Sequence, residues 1–332
     1  MIISQTPLRI PLLGGGTDLP IFSKKYGGIV LTASINKYIY VIIKKNLKGG
    51  IRFTGYYNKE IVSNVSSLKH KVIKAVLKNI ASFKNINDIE IISLSDLPGN
   101  SGLGSSSSFT VGLINALYKY LDIKTDKNKL AKQAHFIERQ VLGEEGGVQD
   151  QFITSYGGII DMRINKKERV LIKNFKFSPS IKKELNKRLI LFETNIFRYS
   201  KHVHKKTFNS IRKNKDKMKS LLMIKKIALR NLKNLKKGNL DYFGKSMDEH
   251  WELKKKYGFK ITSKKIDKMY EIAKLKGALG GKIIGAGSGG FFSVFAKKKS
   301  INKIKKSFKK LDINHIDYKF TNDGSKIIMS IK

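Results

Sequence analysis

A loop rich in glycine and serine, placed between a strand-like and a helix-like segment, most constrains how this chain folds. The loop runs from Leu97 to Ser108 and contains the letters GLGSSSS. Residues 89–94 before it are mainly β-branched and apolar, which favours a strand. Apolar residues then recur at helical spacing from Phe109 to Tyr118. The sequence therefore predicts a strand, a tight loop and the N-terminus of a helix.

This loop has the composition of a phosphate-binding site. Glycines adopt positive φ and let a ligand approach the backbone closely. We expect the N–H groups of Ser105 to Ser108 to point outward at the positive end of the helix dipole, where a polyphosphate fits. A flexible serine-rich turn is the alternative, but one capping serine would be enough for that. The Walker pattern GxxxxGK[ST] is absent from the sequence.

The composition indicates an ordinary folded protein. With 332 residues, of which 41% are hydrophobic, the chain can form one large domain or two smaller ones. The absence of cysteine excludes disulfides and thiolate metal sites. The first residues do not resemble a signal peptide, and no apolar run reaches the length of a membrane span. We therefore expect a cytoplasmic protein that does not bind a membrane.

The net charge of +42 invites comparison with nucleic-acid-binding proteins. The lysines, however, are spread from Lys24 to Lys332, and no helix-turn-helix, zinc-finger or RNP motif accompanies them. We interpret the charge as a solvated lysine-rich surface that attracts anionic substrates, and we do not expect a nucleic-acid partner.

The order of segments predicts an α+β protein with two domains, 1–175 and 176–332. The first begins with strands over residues 1–56, including 29–35 and 38–43, and continues with helices at 67–86 and 127–141. Basic, polar composition between 175 and 187 marks the boundary. In the second domain we expect long helices over 200–255, strands at 282–284 and 291–295, a helix at 299–310, and final strands at 314–320 and 326–331. The buried stripe of the long helices comprises Leu221, Leu222, Ile224, Ile227, Leu229 and Leu232.

Two further stretches carry charged residues beside glycines, and together with the serine loop they resemble the GHMP kinases. The letters PxxxGLGSSS resemble the second motif of that family. Pro7, Arg9, Gly14, Thr17 and Asp18 match the opening motif PxRxxxxGxxTD. Galactokinases have glutamate and histidine after the glycine, where this chain has two glycines, which argues against galactose. The longer form TPLRxxxxGGGTDLP is instead similar to the D-glycero-D-manno-heptose 7-phosphate kinases.

A third glycine-rich loop, Gly285 to Gly290, matches GxGxxG letter for letter. A dinucleotide site of that type needs a helix after the loop, whereas a strand-forming run, Phe291 to Phe295, follows here. In the resemblance, this loop is the third family motif and lies near the active site.

The resemblance implies a two-domain GHMP kinase with a ribosomal protein S5 domain 2-like N-terminal domain and a ferredoxin-like C-terminal domain. It implies an ATP-dependent sugar kinase that phosphorylates the anomeric hydroxyl of D-glycero-D-manno-heptose 7-phosphate. The 1,7-bisphosphate product would serve nucleotide-activated heptose synthesis for a polysaccharide. A sugar 1-kinase acting on an unphosphorylated hexose, like galactokinase or fucokinase, is the alternative. A polyanion-binding protein on a kinase-like scaffold is a more distant one, and a homodimer is left open.

The resemblance also implies roles for individual residues. Asp150 would accept the proton of the attacking hydroxyl, and Arg9 would keep that carboxylate ionised. Glu138 and Ser106 would hold Mg²⁺. The residues that would bind ATP are Pro98, Gly99, Ser101, Gly102, Leu103, Gly104, Ser105, Ser106 and Ser107. Those that would bind the substrate are Gly15, Gly16, Thr17, Asp18, Gly287, Ser288 and Arg198, with Lys254 or Lys255 as a further cation for its phosphate.

Overall fold

The structure, a computed structural model, describes residues 1–56, 58–81, 86–99, 101–196 and 200–331. In these residues the strands are β1 (Ile2–Leu13), β2 (Gly28–Lys45), β3 (Ile51–Thr54), β4 (Lys59–Val62), β5 (Ile89–Ser95), β6 (Ile159–Ile164), β7 (Val170–Asn174), β8 (Leu189–Glu193), β9 (Ala278–Ile283), β10 (Phe291–Ala296), β11 (His315–Ile316) and β12 (Lys326–Ser330). The helices are α1 (Pro20–Tyr26), α2 (Lys71–Ala81), α3 (Ser105–Tyr120), α4 (Lys127–Phe136), α5 (Gln149–Tyr156), α6 (Pro179–Arg188), α7 (Ser200–Arg212), α8 (Lys215–Lys236), α9 (Leu240–Tyr257), α10 (Lys264–Leu275) and α11 (Lys298–Lys309). Two short turns, 3₁₀-helical Val65–Ser67 and π-helical Ile137–Val141, complete the description.

The first sheet is organised by the long strand β2. One edge of β2 pairs with β1, and its other edge pairs with β6 along its first half and with β5 along its second half. β2 continues through Asn36 and Lys37, where we predicted a break between two strands. The register shifts there, between Pro7 and Leu8 on β1, so the two extra residues form a bulge in one continuous strand. The strands β12-β1-β2-β5-β3-β4 form the path of this sheet, and β7 joins it through β6.

The second sheet has four antiparallel strands in the order β11-β8-β10-β9. Its core includes the fully buried side chains of Trp251, Phe192, Phe292 and Phe308. Two sheets with helices packed on them confirm the predicted α+β class with two domains.

The C-terminal segment departs from the predicted domain division. Only His315–Ile316 of the expected strand at 314–320 pairs with the second sheet, through β8. Phe320 instead bridges to Ile35, and β12 pairs antiparallel with β1 in the first sheet. The prediction that the last strand completes the second domain is therefore wrong. Pairing at a sheet edge is not encoded in the periodicity of the strand that joins it.

Several predicted helices have different bounds. The helix expected over 127–141 changes at Phe136 into the π-helical turn, and the helix expected over 67–86 spans only α2 among the described residues. The segment 200–255 forms three helices, α7, α8 and α9. The side chain of Leu229 is 40% exposed, so its place in the buried stripe is wrong. Helices α1, α5, α6 and α10 were not predicted. Of these, α6 lies in the stretch that we took as the domain boundary.

Among the described residues, no helix combines the length and apolar character needed to cross a membrane.

We expect Trp251→Ala to destabilise the protein by about 3–5 kcal/mol, because it removes a large, fully buried side chain and leaves a cavity in the second core. Leu229→Ala, on the exposed face of α8, should change the free energy of unfolding by less than about 0.5 kcal/mol. Denaturant titrations of both variants measure the difference. Equal effects would contradict this division into core and surface.

Candidate active site

A cavity of about 420 Å³ lies between the two domains. The first domain contributes the end of β1, the loop after it, the start of α3, the π-helical turn and the glycine loop before α5. The second domain contributes one face of α9 and the end of β9. This cavity brings together most of the charged residues that were singled out in the sequence.

The ion pair of Arg9 and Asp150 lies on the wall of this cavity. Arg9 Nε and Nη2 donate to Oδ1 and Oδ2 of Asp150, each at 2.7 Å. Arg9 Nη1 donates to the carbonyl of Gly102 at 2.6 Å, in the loop before α3. The guanidinium group is buried, whereas the carboxylate is 23% exposed. Three separate segments are thus joined at one bidentate, charge-assisted contact.

Asp18 is buried beside the start of α5. Its carboxylate accepts hydrogen bonds from the backbone N–H groups of Gly16 and Gln149, each at 3.2 Å. A Cβ at Gly147 would lie 1.8 Å from Oδ2 of Asp18, so only glycine permits this approach. Burial, reinforced by the neighbouring Asp150 carboxylate, raises the pKa of Asp18. Asp18 therefore fixes the glycine loop against the first motif.

Glu138 is buried at the π-helical turn that follows α4. Its Oε2 accepts hydrogen bonds from Ser107 Oγ at 2.9 Å and from Gln151 Nε2 at 2.5 Å. Burial raises the pKa of Glu138, although the Arg139 guanidinium and these hydrogen bonds oppose the rise. The predicted partner of Glu138 was Ser106. The structure instead directs the Ser107 side chain at the carboxylate and leaves Ser106 exposed on the cavity wall.

The second oxygen of Glu138 fits a cation. Oε1 is buried and has no hydrogen-bond partner among the described residues. Serine hydroxyls line the cavity beside it. No group of three or more acidic, histidine or cysteine side chains that could hold a metal occurs in the described parts of the chain. Mg²⁺ typically binds through one or two carboxylates together with the phosphates of a substrate, which this donor set suits.

The first turn of α3 forms part of the cavity wall. Ser105, Ser106 and Ser107 line the cavity and occupy the first turn, where helical N–H groups have no partner within the helix. We expected the N–H of Ser108 to point outward, but it donates to the carbonyl of Gly104 at 2.9 Å. The Ser108 hydroxyl is also buried, against the carbonyl of Pro7.

The second domain supplies a wall of four polar side chains. His250, Lys254 and Tyr257 lie on one face of α9, at spacings of four and three residues, and Lys282 projects from β9. Lys254 Nζ donates to the carbonyls of Ile283 and Gly285 at 2.9 and 2.7 Å. Burial and the nearby Lys282 and Lys254 ammonium groups hold the pKa of His250 well below its usual value. His250 is therefore neutral near pH 7.

Several residues predicted to bind ligands lie elsewhere. Thr17 is fully buried, and its hydroxyl lies 2.8 and 2.7 Å from the carbonyl oxygens of Gly14 and Ile29, so its role is structural. Gly287 and Ser288 pack against Ile261 and Lys260, and the neighbouring Gly285 and Ala286 line the cavity instead. Pro98, Gly99 and Ser101 line a separate cavity of about 20 Å³, and Leu103 is fully buried. Arg198 lies outside the described residues.

The residues of the site that were not predicted include Gln151, His250, Tyr257 and Lys282. The sequence contains one signal for His250 and Tyr257 and another for Lys282. The spacing of His250, Lys254 and Tyr257 places them on one helix face. Lys282 is a lone charge in the otherwise apolar and glycine-containing strand β9.

The sequence of the chain matches family models in both domains. Residues 68–158 match the model of the GHMP kinase N-terminal domain, and residues 231–313 match that of the C-terminal domain. The chain is 32% identical to a D-glycero-alpha-D-manno-heptose 7-phosphate kinase of Campylobacter jejuni, with 98% of each chain covered. It is 25% identical to a galactokinase of Thermotoga petrophila, with 91% of each covered. The crystal structure of a D-glycero-D-manno-heptose 1-phosphate kinase from Bacteroides thetaiotaomicron superposes with a TM-score of 0.83 at 26% identity, covering 100% of both chains.

Glu138→Gln should raise the melting temperature at pH 8. The raised pKa of Glu138 means that folding disfavours the ionised form, so stability falls as pH rises from the ordinary carboxyl pKa through the raised one. The neutral amide removes this cost, which we expect to be about 1–3 kcal/mol.

The stabilisation should shrink as pH falls towards 4, because the carboxyl is then protonated in both states. Thermal melts across this range, with exposed Glu271→Gln as the control, measure the difference. A stabilisation independent of pH would contradict the raised pKa of Glu138.

Proposed function

The chain belongs to the GHMP kinases, and we propose that it transfers the γ-phosphoryl group of ATP to the anomeric hydroxyl of D-glycero-D-manno-heptose 7-phosphate. As a member of this family it is an ATP-dependent kinase that phosphorylates a hydroxyl group. The observation that carries the proposal is the chain of contacts from Gly102 before α3, through Arg9 and Asp150, towards Asp18. This places a carboxylate between an anion-binding helix start and the loop that follows β1.

In this proposal Asp150 orients the acceptor hydroxyl and takes its proton as the new bond to phosphorus forms. Arg9 fixes both carboxylate oxygens and brings positive charge to the transferring group. The first turn of α3 binds the nucleotide phosphates through its N–H groups and hydroxyls. Glu138 and the adjacent serine hydroxyls would hold Mg²⁺, which supplies charge neutralisation on the phosphates.

Of the two glycines after Gly14, Gly15 leaves room for the acceptor. A Cβ at Gly15 would meet nothing within 4 Å, so this position leaves open space in the cavity. A Cβ at Gly16 would lie 2.6 Å from the hydroxyl of Tyr257, whose side chain occupies the space that a side chain at 16 would need. Burial raises the pKa of Tyr257, which keeps its phenol protonated as a hydrogen-bond donor. We infer that Tyr257 contacts the sugar from the second domain.

The phosphate of the acceptor requires a cation, and Lys254 suits this role better than Lys255. Lys254 lines the cavity from α9, whereas Lys255 pairs with Glu252 at 2.7 Å. The C. jejuni relative, named for a 7-phosphate, covers nearly the whole chain and supports this substrate. The related structure is named for a 1-phosphate, so the position of the existing phosphate needs a direct test.

The deciding experiment measures ADP release with ATP and Mg²⁺ across a panel of acceptors. The panel holds heptose 7-phosphate, heptose 1-phosphate, mannose 6-phosphate, mannose, galactose and fucose. We expect turnover with heptose 7-phosphate and a 1,7-bisphosphate product. Turnover confined to a free sugar would overturn the phosphate site and leave a sugar 1-kinase. Turnover confined to heptose 1-phosphate would overturn the anomeric hydroxyl as the acceptor.

Asp150→Asn should lower kcat by about 10²- to 10⁴-fold, because the amide cannot take the hydroxyl proton. The affinity for ATP should change little. The matched control is Asp161→Asn, which breaks another bidentate pair, with Arg163 at 2.7 and 2.9 Å, outside the cavity. Steady-state kinetics and nucleotide binding compare the two variants. Unchanged turnover in Asp150→Asn would remove this residue from the mechanism.

Tyr257→Phe should raise KM for the sugar acceptor about 10-fold, since the site loses one hydrogen bond to the substrate, and leave KM for ATP unchanged. Tyr318→Phe is the control, because its buried hydroxyl donates to Leu189, away from the cavity. Initial-rate kinetics with each substrate varied in turn measure the change. An equal rise in both KM values would indicate a structural effect instead.

A further inference from the structure

Lys282 is a buried amine on the wall of the active-site cavity. It projects from β9, its residue is 3% exposed, and its Nζ donates to the carbonyl of Leu12 at 2.8 Å. A lysine ammonium carries three donors. Leu12 is its sole hydrogen-bond partner among the described residues, and no described carboxylate lies within salt-bridge distance of it. Most of the donor capacity of this buried group is therefore unused.

Lys282 is faced by groups from both domains. The charged group that lowers its pKa is the cationic guanidinium of Arg9. Arg9 approaches from β1, while His250, which also lies near Lys254, approaches from α9. Asp150 belongs to the same cavity, but both of its oxygens are bound by Arg9, and Asp18 is bound by backbone N–H groups. Burial, with repulsion from Arg9, lowers the pKa of Lys282 to about 7. The described residues thus supply no carboxylate that pairs with Lys282.

Arg9 itself has few donors to spare. Its Nε and Nη2 bind Asp150, and its Nη1 binds the carbonyl of Gly102. In phosphoryl transfer the negative charge is spread over three equatorial oxygens of the transferring group. An anion held next to Arg9 would therefore meet unused donors on Lys282.

We propose that Lys282 binds the γ-phosphoryl group of ATP during its transfer, as a second cation that faces Arg9 from the other domain. This inference rests on the proposed function, because it takes the reaction to occur beside Asp150. Lys282 takes up one proton from solvent when the anion binds, and stays an ammonium while the bond between the γ-phosphorus and the bridging oxygen breaks. The acceptor oxygen bonds to phosphorus, and its proton passes to Asp150. Lys282 releases its own proton when the products leave.

Linkage between protonation and binding gives a test that does not depend on turnover. Calorimetry at pH 8, in buffers of different ionisation enthalpy, counts the protons taken up when ATP or ADP binds with Mg²⁺ and without acceptor. ATP is fully ionised at this pH, so the proton must bind to the protein. We expect wild-type uptake with ATP to exceed that with ADP by nearly one proton per site, because only ATP carries the γ-phosphoryl group.

Three variants separate Lys282 from other groups. Lys282→Met should abolish the extra uptake and lower kcat by about 10²- to 10³-fold, as expected for loss of one charge-stabilising donor. Lys282→Arg should also abolish the uptake but keep more of the rate, because a guanidinium is charged throughout. Lys303→Met, on the exposed face of α11, removes one charge elsewhere and should behave as wild type. Thermal melts establish that each variant is folded.

Several outcomes would overturn the inference. Equal uptake with ATP and ADP would mean that the γ-phosphoryl group is not the ligand. Uptake retained in Lys282→Met would assign the proton to another group, of which His250 is the nearest candidate. Uptake only with the sugar phosphate would place Lys282 in the acceptor subsite. If the acceptor panel gave no heptose turnover while the ATP-specific uptake remained, the proposed substrate would fail and the role of Lys282 would stand.

Discussion

The bidentate ion pair between Arg9 and Asp150 is the contact on which the rest of this site depends. It joins β1 to the first turn of α5, and the third arm of the guanidinium holds the loop before α3 through Gly102. A buried cation is costly unless it is paired and its donors are satisfied, and here each arm has a partner. Arg9 and Asp150 are 141 positions apart in the chain. The ion pair therefore fixes three distant segments of the chain at one wall of the cavity.

The remaining charged groups of the cavity are poorly compensated by the protein. Burial raises the pKa of Asp18 and Glu138, and it lowers the pKa of Lys282 and His250. Each of these groups is therefore pushed towards its neutral form. A ligand that brings both a polyphosphate and a divalent cation would supply the missing counter-charges. Perturbed groups of opposite type within one cavity are typical of sites whose charge balance is completed by the substrate.

The second domain contributes polar side chains to this site. The face of α9 and the end of β9 provide His250, Lys254, Tyr257 and Lys282, and Lys282 hydrogen-bonds to β1 at Leu12. Tyr257 fills the space next to Gly16, so a residue of the second domain takes the place of a side chain in the first motif. Side chains from both domains therefore line one cavity.

The sequence by itself determined the local features of this protein. Glycines beside serines predicted the loop and helix start at α3, because such signals depend on backbone geometry within a few residues. The resemblance of the sequence motifs to those of the GHMP kinases singled out Arg9, Asp18, Glu138 and Asp150. Only the tertiary structure decided which of the serines meets Glu138, that Thr17 is structural, and that Lys282 enters the cavity. It also decided that β12 returns to the first sheet. These outcomes depend on helix rotation, strand pairing and the approach of two domains, which involve residues far apart in the chain and leave no periodic signal in any one segment.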